Sequence, residues 1–125
     1  MERVSLSIVF VTDREIQTLN KKFLNRNYAT DVLAFDLTER GLSYAKHKRK
    51  LRRVSAVEGD IIISTDTVFR NAKIYQKSPY EEVILCVVHG ILHLLGYDDH
   101  APADIRRMRE KEEQLMNYLK KKSFL

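Results

Sequence analysis

His89 and His93 lie four residues apart in the apolar stretch Val83–Leu95. On a helix this spacing projects both imidazoles from one face. Two such nitrogens suit one zinc ion, which takes tetrahedral ligands with Zn–N near about 2.0–2.1 Å. Gly96 follows three residues later, where a glycine ends a helix and turns the chain back. The cluster Asp98-Asp99-His100 then stands ready to supply a third ligand. Three protein ligands leave one position for water, the layout of a catalytic site. The plainer reading is a pair of unligated histidines in a buried helix. The coincidence of ligand spacing, glycine turn and acidic/His cluster outweighs it. Zinc proteases of the His-Glu type carry a glutamate directly after the first histidine. Gly90 stands there instead, so that mechanism lacks its base.

The surrounding pattern predicts the elements that position these residues. Val4–Val11 reads as a strand with Val4, Leu6 and Ile8 on one face. Thr12 and Glu15 form a capping box for a helix to about Asn25. Asp31–Leu37 reads as a second strand and Gly59–Ser64 as a third, apolar enough to lie inside the sheet. Residues 38–57 between them read as irregular. A helix is predicted over Thr65–Gln76. Ser78 and Glu81 form a second capping box, with Pro79 at the first helical position of the histidine helix. Pro102 opens a last charged helix to about Lys121, with Ile105, Met108, Glu112, Leu115 and Leu119 along its narrow stripe. The order β-α-β-β-α-α-α indicates an α+β fold: a small mixed sheet covered by helices, as a single domain over residues 1–125.

The chain has 125 residues, of which 44% are hydrophobic and 31% charged, so wholesale disorder is excluded. Cys86 is the only cysteine, which excludes a disulfide scaffold and a four-cysteine zinc ribbon. Cys86, at i−3 from His89, reads as core packing, with a metal-proximal thiol as the alternative. Lys and Arg outnumber Asp and Glu by 22 to 17, and the pI is near 9.4. A polyanionic partner is the natural inference. Six of the eight residues Lys46–Arg53 are basic, making Lys48, Arg49, Lys50, Arg52 and Arg53 candidate phosphate contacts. The start of the chain shows no signal-peptide pattern, and Val83–Leu95 is too short to span a membrane. A cytoplasmic location is expected.

The stretch HGILHLLGYDDH resembles the YbeY-family signature H-G-x-L-H-L-x-G-Y-D-H. Thr30–Phe35 is similar to the family's P-T-D-V-L-S-F block, and Gly59–Ser64 to its G-D-I-x-I-S strand. Met108 and Glu112 match an M-x-x-x-E pair in the last helix. The resemblance implies one zinc per chain, held by three residues. It also implies metal-dependent, single-strand-directed endoribonuclease activity in ribosomal RNA maturation (the 16S 3′ end) and ribosome quality control. Ribosomal RNA and the small ribosomal subunit are the implied partners, with neither a membrane nor DNA specificity expected.

His89 and His93 match the first two ligands of that family. The ungapped count puts the third on Asp99, whereas a bulge after Gly96 would bring His100 to the metal. The family's upstream arginine falls on Leu24, so its role does not carry over; Arg26, two places on, is a possible substitute. Glu112 could hydrogen-bond a ligand histidine, although a solvated or helix-pairing glutamate is the default. The competing reading is a non-catalytic assembly factor whose metal is structural, which requires a site closed by both Asp99 and His100.

Overall fold

Thr12 starts the first helix as expected. Its hydroxyl accepts the Glu15 N–H, and the Glu15 carboxylate returns to the Thr12 N–H, closing the capping box. The structure, a computed structural model, describes residues 3–38, 43–44 and 56–125. Its elements are β1 (Arg3–Val11), α1 (Asp13–Leu24), β2 (Val32–Asp36), β3 (Ser43–Tyr44), β4 (Ala56–Ser64), α2 (Thr65–Ile74), α3 (Pro79–Leu94) and α4 (Pro102–Lys121).

The sheet order is β1-β4-β2-β3, with β1 parallel to β4 and the other pairs antiparallel. The sheet is therefore mixed. The apolar strand β4 lies inside it, because Ile61, Ile62 and Ile63 must be covered on both faces. One expectation changes. The segment taken as irregular contains β3 and the start of β4, where Val57 is buried. On β1, only Leu6 of the even-numbered face packs against the core, while Val4, Ile8 and Phe10 stay exposed. β1 is the sheet edge, and the covering helices pack over β2 and β4 instead.

Ile62, Leu33 and Phe35 meet Ile16 of α1 on one face of the sheet. Ile61, Ile63 and Ala34 meet Cys86 and Leu94 of α3 on the other. The far side of α3 presents Val88 and Leu92 to Met108 and Met116 of α4. α3 is thus sandwiched between sheet and α4, which explains why it is apolar almost all round. Ser78 caps α3 through the Glu81 N–H, but the Glu81 carboxylate pairs with Lys120 instead of closing a capping box.

Two glycines set the distance between α3 and β4. A Cβ on Gly90 would meet Ile61 at 3.1 Å. A Cβ on Gly59 would lie 2.7 Å from the Phe35 carbonyl and 2.8 Å from a Leu94 methyl. The carbonyl belongs to the sheet and cannot step aside. Gly59→Ala should therefore destabilise the fold by about 1–3 kcal/mol, read as a lower urea midpoint with an unchanged slope.

Candidate metal centre

The last turn of α3 carries the histidines, and its ending is built from backbone bonds. The Gly96 N–H donates to the His93 carbonyl at 3.0 Å, and the Tyr97 N–H to the Leu92 carbonyl at 2.9 Å. Gly96 has φ 103°, a conformation that disfavours any side chain. This reversal returns Asp98 and Asp99 to the end of the helix. Tyr97 packs over the turn against the α3–α4 cluster. Asp98 Oδ1 accepts the Asp99 N–H at 2.7 Å and so holds the residue that follows it.

Three donor atoms converge there. His93 Nε2 is 3.0 Å from His89 Nε2, and Asp99 Oδ2 is 3.4 Å from the former and 3.6 Å from the latter. A triangle with these edges has a point about 2 Å from every corner, the length of a Zn–N or Zn–O bond. Two imidazoles and one carboxylate form a donor set that zinc accepts. The residues present therefore fit a metal ion. His93 is buried, whereas the Asp99 side chain is 37% exposed, so the site opens towards solvent on the carboxylate side.

Glu112 completes the arrangement from α4. Its Oε2 lies 2.6 Å from His89 Nδ1. A carboxylate there accepts, so Nδ1 carries the proton and Nε2 turns its lone pair inward. The default reading of Glu112 as a solvated or helix-pairing residue is overturned. The sequence did hold a signal: Glu112 interrupts the apolar stripe of α4, where a carboxylate needs a buried partner.

Burial opposes a charge on His89, yet hydrogen bonds to Asp99 and Glu112, with their negative charges, hold its pKa at about 9. Hydrogen bonds from His89 and His93 outweigh burial at Asp99 and keep it well below the usual carboxylate range. The folded His89 value lies above the ~6.5 of an unfolded chain. In the metal-free protein its contribution to stability is fully present below about pH 6.5 and is lost as pH rises through about 9. An ion must displace that proton. Zinc affinity should rise about tenfold per pH unit from about pH 6 to 8 and level off above about pH 9. A chelator-competition titration across that range checks this slope.

The other sequence candidates fall elsewhere. His100 gathers with Asp98 and Asp99; its Nε2 is 3.9 Å from Asp98 Oδ1, and its side chain is 43% exposed. Arg26 is exposed just beyond α1. Leu24, at the position of the family's arginine, packs against the Ile16–Phe35 cluster. Lys48, Arg49, Lys50, Arg52 and Arg53 lie outside the described residues. Among the described residues, no helix is long and apolar enough to cross a membrane.

A family model described as Endoribonuclease YbeY matches residues 1–120. A relative from Anaeromyxobacter dehalogenans (strain 2CP-C), named Endoribonuclease YbeY, is 42% identical over 114 residues, covering 91% of this chain and 53% of the relative. One of the same name from Carboxydothermus hydrogenoformans is 36% identical over 114 residues, covering 91% of this chain and 71% of the relative. A Thermotoga maritima protein solved in solution matches with TM-score 0.51 and 25% identity, over 95% of this chain and 73% of that one. The chain spans about half the length of the Anaeromyxobacter relatives. With residues 1–120 matching the family model and the histidine turn formed, the chain belongs to the YbeY family.

Proposed function

We propose that residues 1–125 form one zinc-dependent endoribonuclease domain that cleaves single-stranded ribosomal RNA during 16S 3′-end maturation and ribosome quality control in the cytoplasm. The observation that carries this reading is the three-donor triangle of His89, His93 and Asp99, open on one side. A structural zinc takes four protein ligands; three leave room for a water or a phosphoryl oxygen. The family names of the relatives support RNA as the substrate.

Zinc held there supplies Lewis acidity towards a phosphoryl oxygen and lowers the pKa of a bound water or hydroxyl. His89, His93 and Asp99 would hold the ion, and Glu112 would fix the tautomer of His89. The neighbouring Asp98–His100 pair supports a proton-accepting role for His100. The basic tract around Lys48–Arg53 supports phosphate binding, as does the excess of Lys and Arg. Ribosomal RNA within the small subunit is the partner this charge would meet.

The test uses an unstructured RNA bearing a ribosomal 3′-end sequence. Protein with one zinc equivalent should cut it internally. Metal-stripped protein and zinc-treated His93→Ala should each be slower by about a hundredfold or more. Intact RNA with zinc stoichiometrically bound would instead favour a non-catalytic assembly factor.

A further inference from the structure

A second set of potential metal ligands lies along α3, one turn before the histidines. Asp31, Glu82 and Cys86 each bring one ligand atom within 4.8 Å of the other two. Glu82 and Cys86 are one turn apart on the helix, the same spacing as His89 and His93. Asp31 is held against them by its backbone: its carbonyl accepts the Ser64 N–H at 2.9 Å, and its Oδ2 lies 3.8 Å from Cys86 Sγ.

Glu82 is the observation that asks for a ligand. The residue is 3% exposed, and among the described residues its buried Oε2 has no hydrogen-bond partner. Among the described residues, Lys77 Nζ pairs with that oxygen at 3.7 Å, beyond hydrogen-bonding distance, and its side chain reaches solvent. A buried carboxylate oxygen without a partner is costly, and a coordinated cation would satisfy it. We infer that Asp31, Glu82 and Cys86 form a second divalent-metal site, selective for a thiophilic ion such as zinc.

The donor types set the selectivity. Two carboxylates alone would suit magnesium or calcium, which take oxygen ligands only. A thiol in the set favours zinc or cobalt. Burial, with Asp31 and Glu82 beside it, raises the Cys86 thiol's pKa, so the thiol keeps its proton when the site is empty. On binding, the S–H bond breaks, the metal–sulfur bond forms and the proton leaves to water. Zinc is not reduced or oxidised, and no further reactant is needed. Along the helix axis Cys86 is about 4.5 Å from His89. The second site thus adjoins the first without sharing a residue with it.

The test is a cobalt titration of the whole metal-stripped chain in a non-thiol reductant. Cys86 is the only cysteine in the chain, so any sulfur-to-cobalt charge-transfer absorption reports on it alone. The wild type should bind two cobalt ions and develop that band. His93→Ala should lose one ion and keep the band. Glu82→Gln should keep the histidine site and need about tenfold more cobalt to develop the band. Circular dichroism confirms that each variant is folded, and Asp31→Asn substitutes for Glu82→Gln should that one unfold. Three outcomes overturn the inference: no band in folded wild type, a band lost with His93, or a band that titrates unchanged in both carboxylate variants. The second would make Cys86 a ligand of the histidine centre instead.

Discussion

Asp99→Ala should weaken zinc binding by at least about a hundredfold, while His100→Ala should change it less than about threefold. The contrast follows from one residue of register. Asp99 Oδ2 stands 3.4 and 3.6 Å from the two imidazole nitrogens, whereas His100 pairs with Asp98. Removing Asp99 deletes one of three donors and leaves two imidazoles with no negative charge between them. Competition with a chromophoric chelator at fixed pH measures both variants. Equal losses would mean that His100 also closes the site, and a closed site is a structural one. His89 supplies an independent readout. With Asp99 gone, it loses the strongest of the contacts that raise it to about 9, so its imidazolium should titrate lower in the metal-free variant.

Glu112→Ala should weaken zinc binding by about 10–100-fold without removing a ligand. The carboxylate holds the Nδ1 proton of His89 at 2.6 Å and so presents Nε2 to the ion. Without it the ring is free to rotate or to take the other tautomer. Glu112→Gln keeps an acceptor oxygen but loses the charge, so it should recover part of the affinity. A merely structural glutamate would affect melting and leave the His89 titration alone. If Glu112 positions the ring, its loss must also lower the pKa of His89 in both variants. NMR of the metal-free ring through its titration decides between these. If His89 titrates as in the wild type while affinity falls, Glu112 acts through packing of α4 and not through the imidazole.

The distribution of what was legible follows the range of each interaction. His89 and His93 share a face because helical periodicity is local, and the turn at Gly96 follows from one residue's backbone freedom. The capping residues Thr12 and Ser78 and the buried strand at Ile61–Ile63 were readable for the same reason. Each depends on neighbours within a turn or a pleat. The same local signals gave the order of the elements. Met116 was missed because α4 was read as one narrow stripe, whereas its buried side runs from Met108 to Met116 against α3. The exposure of Val4, Ile8 and Phe10 on β1 was equally hidden, since an alternating strand looks alike at the edge and in the middle of a sheet.

By itself, then, the sequence determined the α+β class, the two histidines at ligand spacing and the acidic cluster beyond the glycine turn. Tertiary structure decided which member of that cluster meets the imidazoles, because the reversal after Leu95 sets side-chain direction residue by residue. It also joined His89 to Glu112 across 23 positions, and Cys86 to Asp31 across 55. Such contacts depend on how α3 packs between the sheet and α4, and no local pattern encodes the distance between packed elements.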